Sequence, residues 1–243
     1  MNPIDTSDRI EKWLAAKVKE TNANGVVVGM SGGVDSSVVA AIAKRALGKN
    51  VLGVILPCDS NPKDAKFAQL VAKKFGIETR RINLTPVFRQ FRKNLPPGSK
   101  KIHGNLKARL RMAALYYFAN KHNYLVLGTS NRSELWIGYF TKHGDAAADL
   151  EPIGGLYKTQ VVELARYLGI PKEIVKAKPT AGLWKGQTDE KEIGIGYAQL
   201  DLILWSMENG KQQTSRQAAK VMDMINRSRH KRKMPEICEM RKQ

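Results

Sequence analysis

The sequence predicts an α/β fold, a single domain built on a parallel sheet with helices on both faces. Two features of the chain carry this prediction. Four short apolar runs are bounded by turn residues, and helical patterns fill the intervals between them. Since strand and helix alternate, the strands are expected to pair in parallel through right-handed crossovers. With 243 residues, 42% of them hydrophobic, the chain is long enough to bury the core of such a sheet.

The predicted strands are stretches of apolar and β-branched residues, and the first two and the last are expected to be fully buried. A parallel sheet binds ligands beyond the carboxyl ends of its strands, so the residues that follow each strand are candidates for a site. In chain order the strands are GVVVGM (25–30), NVLGVILP (50–57), IETRRINL (77–84) and NYLVLG (123–128).

Helices are predicted where apolar residues recur at helical spacing. In the helix over 189–208, Asp189 and Glu192 have the spacing of a cap and its N3 partner. In the helix over 105–121, the apolar stripe is expected to comprise Leu106, Leu110, Ala113, Ala114, Tyr117 and Phe118. The predicted helices cover 35–47, 62–75, 105–121, 158–168, 189–208 and 214–230.

Residues 129–157 keep no amphipathic period and are predicted to form a long loop region. Loops of more than about a dozen residues inside a compact domain tend to be functional or disordered. This one contains aromatic anchors, so we expect it to be ordered around a ligand. The anchors are Trp136, Tyr139, Phe140 and Tyr157.

Composition limits the class of protein. No stretch has the 18 or more apolar residues of a membrane span, and the amino terminus lacks the apolar core of a signal peptide, so a soluble cytoplasmic protein is expected. Cys58 and Cys238 form neither a disulfide framework nor a CxxC pair, and each is interpreted as a buried or incidental thiol. The three histidines without metal-ligand spacing, interpreted as structural, are His103, His122 and His143.

The formal net charge is +19, with the basic residues clustered in two stretches. Residues 73–111 hold twelve Lys and Arg against one acid, and residues 227–242 hold seven against two. Such an excess indicates an anionic partner, or else a solvated basic face that aids solubility, and composition leaves both open.

The stretch GMSGGVDSSVV, residues 29–39, links the first strand to its helix. A glycine-rich turn at a helix amino terminus presents backbone N–H groups to an anion, and serine hydroxyls can add donors. The Walker pattern would place a lysine near Asp35, where this chain has none. An acid beside a phosphate site repels the ligand unless a divalent cation lies between them, so Asp35 is predicted to be a Mg²⁺ ligand. A glycine turn with Asp35 as a plain helix cap would explain the glycines but not the serines.

SGGVDSS resembles the SGGxDS pyrophosphate loop of the N-type ATP pyrophosphatases. Further stretches are similar to the ammonia-dependent NAD synthetase family and occur in family order. The resemblance spans nearly the whole chain and implies one domain over 1–243 of adenine nucleotide alpha hydrolase-like fold, with a basic tail from about residue 230. The stretches are GNLKARLRM (104–112), GTSNRSELWIGYFTKHGD (128–145), PIGGLYKTQV (152–161), KPTAGLWKGQTDEKEIG (178–194) and HKRKMP (230–235).

The resemblance implies ATP-dependent amidation of deamido-NAD with ammonia, the last step of NAD biosynthesis. The carboxylate would first be adenylated with release of pyrophosphate, and ammonia would then displace AMP. Glutamine-dependent relatives carry an additional amidase domain, so free ammonia is the implied nitrogen source. The family also implies Mg²⁺, ATP as co-substrate, and a homodimer, with no membrane and no specific nucleic-acid partner.

The family's roles transfer to matching positions of this sequence. Asp35 and Glu134 match the Mg²⁺ ligands, while Asp145 matches an acid near the ammonia site that, with Asp35 and Lys158, is expected to take part in catalysis. Positions that match contacts to deamido-NAD are Arg109, Lys142, Asp149, His230 and Lys231. Positions that match contacts to ATP are Gly29, Met30, Ser31, Gly32, Gly33, Val34, Asp35, Ser36, Ser37, Thr129, Lys158 and Thr180.

Two other functions stay open at this point. A tRNA-modifying relative that adenylates or thiolates its substrate would use the basic surface directly, although thiolating members usually carry the paired cysteines that this chain lacks. A nucleic-acid-binding protein with a degenerate loop would lose affinity linearly with the logarithm of salt concentration and release no pyrophosphate.

Overall fold

The computed structural model describes residues 1–184, 186–211 and 214–240. Its centre is a four-stranded, fully parallel sheet in the order β3-β2-β1-β4. Val26 of the first strand pairs with Val51 on one side and Leu125 on the other. The strands are β1 (Gly25–Gly29), β2 (Val51–Ile55), β3 (Glu78–Arg81) and β4 (Tyr124–Leu127).

Helices connect and cover these strands. In chain order they are α1 (Pro3–Glu20), α2 (Val34–Leu47), α3 (Pro62–Phe75), α4 (Thr85–Lys93), α5 (Lys100–His122), α6 (Arg132–Ile137), α7 (Lys158–Tyr167), α8 (Lys172–Val175), α9 (Asp189–Ile193), α10 (Tyr197–Glu208) and α11 (Arg216–Arg227), followed by a 3₁₀ turn at Arg229–Arg232.

The side chains of β1 alternate between two cores. Val26 and Val28 pack with apolar residues of α1, α2, α3 and α7, whereas Val27 packs on the opposite face with residues of α4 and α5. This period of two is the one expected of a strand covered on both faces. A third apolar cluster lies away from the sheet, where α6, α10 and α11 pack around Ile137 and Leu204.

The α/β class, the single domain and the parallel sheet are therefore confirmed, as are all four predicted strands. The third strand ends at Arg81 instead of residue 84. The fourth is only half buried, because Tyr124 and Leu125 keep partial exposure. The two cysteines are free, with Cys58 buried and Cys238 exposed.

Several predicted helices differ from the observed ones. The predicted helix over 189–208 is two helices, because Gly194 adopts φ 72° and ends α9. The cap of α9 is Thr188 and not Asp189, whose side chain bonds elsewhere. The stripe predicted on α5 was wrong in two places, since Ala113 and Tyr117 are exposed.

Other differences concern where elements begin and end. The region 129–157 is not all loop, because it contains α6. The last helix spans Arg216–Arg227, and α5 begins five residues earlier than predicted. The sequence patterns above do not predict α1, α4 or α8. Residues 241–243 of the predicted basic tail lie outside the described residues. Among the helices described, none is both long and apolar enough to cross a bilayer.

Candidate active site

The site lies where the direction of strand addition reverses. From β1 the chain adds β2 and β3 on one side, and then returns to place β4 on the other side of β1. In open parallel sheets this switch point leaves a crevice at the carboxyl ends of the two central strands. The segments that leave β1 and β4 here are the glycine-rich loop and residues 128–134.

The glycine-rich loop turns sharply after β1. Gly32 adopts φ 84°, and a Cβ atom there would lie 2.3 Å from the carbonyl oxygen of Asp64, so only glycine fits. Gly33 is the N-cap residue of α2 and has an ordinary φ of −81°. This geometry leaves the amino terminus of a 14-residue helix pointing out of the loop, which favours an anion.

The serines of the loop divide into two groups. Ser31 is exposed and its Oγ accepts a hydrogen bond from Gly33 N–H at 3.2 Å. Ser36 and Ser37 are buried and donate to the carbonyl of Gly33 at 3.1 and 2.7 Å. Of the three serines only Ser31 is therefore exposed, and its hydroxyl lies 3.0 Å from Ser36 Oγ. The remaining loop positions fall at the end of β1 and the start of α2, with Gly29 partly exposed and Met30 and Val34 buried.

A buried lysine joins the two predicted metal ligands. Lys158, the first residue of α7, is 4% exposed at its side chain, and its Nζ donates to Oδ2 of Asp35. The same Nζ lies 3.5 Å from Oε1 of Glu134. Burial alone would lower the pKa of Lys158, but the two carboxylates overcome it and raise that pKa. Burial raises the pKa of Glu134, and the lysine limits this rise.

Asn131 also bonds to both Asp35 and Glu134. It is fully buried, and its Nδ2 donates to Oδ1 of Asp35 at 3.1 Å. Its Oδ1 accepts from the backbone N–H of Glu134 at 3.0 Å, and the Glu134 carboxylate accepts in return from Asn131 N–H. This reciprocal pair is a capping box at the start of α6.

A second network fixes the start of α7. Ser133 Oγ donates to Asp201 and accepts from the backbone N–H of Lys158 at 3.0 Å. The other Asp201 oxygen accepts from Thr159 N–H at 2.9 Å. These bonds satisfy amide groups that the amino terminus of a helix leaves without partners. They therefore fix the start of α7 and the position of Lys158, its first residue.

Tyr197 connects the Glu134 carboxylate to the segment that contains Thr180. Its hydroxyl lies 3.1 Å from Glu134 Oε1 and 3.2 Å from Asp189 Oδ2. The other oxygen of Asp189 accepts from Ala181 N–H at 3.0 Å, next to Thr180. Thr180 itself is exposed, and Thr129 is partly exposed just beyond β4.

The donor atoms at this point suit a hard divalent cation. Asp35 and Glu134 come from different elements, and their carboxylate oxygens converge on one cation, the lysine ammonium. Oxygen ligands of this kind are those that Mg²⁺ takes in proteins. Within the described residues, no group of three or more His, Cys, Asp or Glu side chains forms a metal site. Two carboxylates alone leave positions for ligand oxygens, so the residues fit a metal that is shared with a bound nucleotide.

Two further carboxylates lie near this crevice. Asp145 Oδ1 accepts from Thr141 N–H at 2.9 Å, and desolvation by the surrounding protein raises the pKa of its carboxyl group. Glu151 accepts from Ser130 N–H at 3.1 Å, and burial raises its pKa to about 8. A raised pKa makes a carboxylate a stronger base near neutral pH.

Four of the five residues predicted to hold the dinucleotide form a connected basic cluster. Arg109 donates to the carbonyl of Lys142 at 3.2 Å, and Lys142 Nζ donates to the carbonyl of His230 at 2.9 Å. Lys231 Nζ donates to the carbonyls of residues 138 and 140, and burial lowers its pKa. The fifth, Asp149, bonds instead to Val126 N–H and the Tyr116 hydroxyl.

Several residues of this site were not predicted from the sequence. The capping-box spacing of Asn131 and Glu134, in the segment that follows β4, could have revealed Asn131. Tyr197, Asp201 and Glu151 have no local signal, because each reaches the site through a contact that only the folded chain creates.

Known proteins resemble this chain over nearly its whole length. A family model described as NAD synthase matches residues 6–235. The NH₃-dependent NAD⁺ synthetase of Methanocaldococcus jannaschii is 48% identical over an alignment of 250 residues, covering 96% of either chain. The structure of NMN synthetase from Francisella tularensis is similar with a TM-score of 0.92 and 38% identity, covering 99% of this chain and 100% of that one. The NH₃-dependent NAD synthetase of Campylobacter jejuni has a TM-score of 0.86 and 31% identity, with 98% and 100% covered.

Proposed function

This chain belongs to the NAD synthase family, and we propose that it is an ammonia-dependent NAD⁺ synthetase. It would convert deamido-NAD, ATP and ammonia to NAD⁺, AMP and pyrophosphate, the last step of NAD biosynthesis. The observation that carries this proposal is the convergence of Asp35, Glu134 and Lys158 at the mouth of the glycine-rich loop. The proposal includes one catalytic domain over 1–243 with its basic tail, and a cytoplasmic location, where ATP is at hand.

The first chemical step activates a carboxylate. The nicotinate group of deamido-NAD is a poor acyl donor, because its leaving group would be oxide. Attack of its oxygen on the α-phosphorus of ATP forms a mixed anhydride and releases pyrophosphate, which leaves AMP as a far better leaving group. The loop amides after β1 and the Ser31 hydroxyl are suited to hold the departing phosphates.

Lys158 and a cation held by the metal ligands would neutralise the negative charge of this step. Bound Mg²⁺ would neutralise phosphate charge and hold the nucleotide oxygens in place. Asp35 and Glu134 are the two side chains that fit it. Because the Lys158 ammonium is buried between these carboxylates, it supplies a second fixed positive charge at the end of the loop. Thr129 and Thr180 are proposed to contact the nucleotide at the rim.

The second step requires ammonia in its unprotonated form. Ammonium dominates at neutral pH and must lose a proton before nitrogen attacks the anhydride and displaces AMP. Asp145 is proposed to bind ammonium and accept that proton, a role supported by its raised pKa and by the hydrogen bond from Thr141 N–H that orients its carboxylate.

The basic cluster is proposed to bind the dinucleotide. Arg109, Lys142 and Lys231 carry positive charge suited to a pyrophosphate, and His230 lies beside them. Asp149 is proposed to accept a hydrogen bond from the same substrate. A homodimer is also part of the proposal, supported by exposed apolar residues on α5 and α10 such as Tyr117 and Leu202.

The decisive assay mixes the full-length protein with ATP, Mg²⁺, ammonium and deamido-NAD, and follows NAD⁺, AMP and pyrophosphate. We expect equal amounts of the three products, no AMP when deamido-NAD is omitted, and no turnover by a folded Asp35→Ala variant. AMP formation without deamido-NAD would contradict the proposal.

A second acceptor is tested in the same assay, because the Francisella tularensis NMN synthetase has closely similar structure. Nicotinic acid mononucleotide replaces deamido-NAD in this arm. We expect a higher kcat/KM for the dinucleotide. The opposite preference would make this chain an NMN-forming amidase.

A further inference from the structure

We propose that Asn131 is a positioning residue for the metal site. It holds Asp35 and Glu134 in the mutual orientation that a shared cation requires. The inference rests on the proposed function, because magnesium nucleotide is what these carboxylates would serve. Asn131 touches neither substrate nor metal in this scheme and acts only through the two ligands.

The geometry assigns three hydrogen bonds to this one residue. The side-chain amide donates to Oδ1 of Asp35 at 3.1 Å and its oxygen accepts from Glu134 N–H at 3.0 Å. The backbone N–H of Asn131 donates to Oε2 of Glu134 at 3.4 Å. A fully buried side chain that bonds to both ligands fixes the plane of the first carboxylate and the main-chain position of the second.

The orientation of Asp35 shows why both partners matter. Asn131 binds Oδ1, while Lys158 binds Oδ2, so the carboxylate is gripped at both oxygens. Each oxygen retains a further lone pair for a metal. Without the Asn131 amide, only the bond from Lys158 would restrain rotation of the Asp35 carboxylate about its Cβ–Cγ bond.

A helix cap alone does not account for this residue. Capping of α6 needs only the bond from Glu134 N–H to the Asn131 oxygen. The bond from the amide nitrogen crosses 96 positions of sequence to reach Asp35, and it contributes nothing to the cap. The two roles therefore separate in a variant that keeps an acceptor oxygen and loses the amide.

Asn131→Ser is that variant, since serine is as good a cap as asparagine but too short to reach Asp35. Metal binding is measured without turnover, by titrating Mn²⁺ into full-length protein with α,β-methylene-ATP and following the free Mn²⁺ by electron paramagnetic resonance. We expect the Mn²⁺ dissociation constant to rise about 10-fold or more, the range typical of lost second-layer contacts to metal ligands. The melting temperature without metal should change by less than about 3 °C.

Asn2→Ser provides the matched control, because Asn2 caps α1 in the same way with an oxygen that accepts from Ile4 N–H. It should leave Mn²⁺ binding unchanged. Asn131→Thr also keeps a capping hydroxyl, and it replaces the serine variant if the latter does not fold.

Two outcomes would overturn the inference. One is Mn²⁺ affinity within about twofold of native in the serine or threonine variant. The other is a native protein that binds no Mn²⁺ in the presence of the analogue. If the native protein makes no NAD⁺ yet binds Mn²⁺, and the variant loses that binding, the proposed function fails while the role of Asn131 stands.

Discussion

At the scale of single residues, the central feature is a lysine buried between two carboxylates. Lysine is rarely buried unless it is paired, and Lys158 has two partners, Asp35 and Glu134. An unpaired charge at this depth would cost several kcal/mol. The two carboxylates stabilise the ionised form of Lys158, whose pKa they raise, and the lysine in turn stabilises the ionised form of Glu134. This pairing holds the lysine ammonium beside the glycine-rich loop.

Glu151 leads to a prediction about pH. Its carboxylate packs on the backbone of Gly128, where a Cβ atom would lie 2.2 Å from it. Burial, followed by the charges of Glu134 and Asp145, raises its pKa from an ordinary value of 4.5 to about 8. Between these values the folded protein binds more protons than the unfolded chain. The contribution of Glu151 to stability is therefore unfavourable at high pH and becomes less so as pH falls from 8 towards 4.5.

Glu151→Gln removes the titrating group and keeps an acceptor for Ser130 N–H. We expect the variant to be more stable than native by on the order of 1 kcal/mol at pH 8.5, and nearly equal at pH 5. Urea unfolding at the two pH values measures this difference. An equal effect at both would mean that the stability change does not come from this proton.

The residues of the site differ in how far sequence could predict them. Asp35 and Glu134 lie in contiguous motifs, so resemblance alone identifies them. Tyr197 and Asp201 reach the site across 63 and 68 positions of sequence, and nothing near them in the chain signals that contact. Asp189 shows the opposite failure, because a capping pattern was present but tertiary hydrogen bonds to Tyr139 and Ala181 determined its orientation.

At the scale of elements, the turn after β1 depends on one glycine. Gly32 combines a φ of 84° with a backbone oxygen of α3 that would lie 2.3 Å from an added Cβ. Gly32→Ala must strain the loop or displace α3, and we expect a loss of about 2 kcal/mol. That corresponds to a fall in melting temperature of about 4–8 °C for a domain of this size.

Gly155→Ala is the control for this substitution. An added Cβ there meets no heavy atom within 4 Å, and the residue is exposed. Its melting temperature should remain within about 2 °C of native. If the two variants have the same melting temperature, the close approach of α3 to the loop does not contribute to stability.

The strands and the main helices were predictable because their signals are local. An apolar run such as GVVVG has few alternatives to a buried strand. α1 also has a local signal, an Asn2 cap followed by Pro3. α4 and α8 are short, at nine and four residues, and burial of Phe88 and Ile174 in the apolar cores stabilises these helices more than their own sequence pattern does. The break before Tyr197 comes from Gly194, whose backbone adopts a conformation that other residues avoid.

At the scale of the whole molecule, the charge of +19 remains larger than the site requires. ATP, deamido-NAD and pyrophosphate are polyanions, so under the proposed function they would account for the lysines and arginines around the crevice. Many of the others lie on exposed surface, such as Arg80 and Arg81 on the edge strand β3. Family membership favours the dinucleotide substrate over the tRNA-modifying alternative. The remaining excess of positive charge affects how two copies of the chain associate.

Apolar contact favours the association of two such chains, and repulsion between their positive charges opposes it. Tyr117 on α5 and Leu202 on α10 are 64% and 67% exposed, which leaves large apolar side chains for a partner to cover. Two copies of a +19 chain repel each other over about 10 Å at 0.1 M salt, and screening weakens this repulsion as salt is added. A homodimer of this protein should therefore form more readily at high ionic strength than at low.

Light scattering after size-exclusion chromatography tests this balance. We expect a mass near twice the 27.1 kDa of one chain at 0.5 M salt, with dissociation on dilution at low salt. Tyr117→Lys and Leu202→Lys, made separately, add charge where an apolar contact is needed, and at least one should shift the equilibrium about tenfold or more towards monomer, because burying an unpaired charge is costly. Ile4→Lys, at a residue 52% exposed on α1, is the control and should leave the mass unchanged. Native protein that stays monomeric at every salt concentration would contradict the homodimer. If both lysine variants stay dimeric, the interface does not include these positions on α5 and α10, and only the predicted salt dependence is supported.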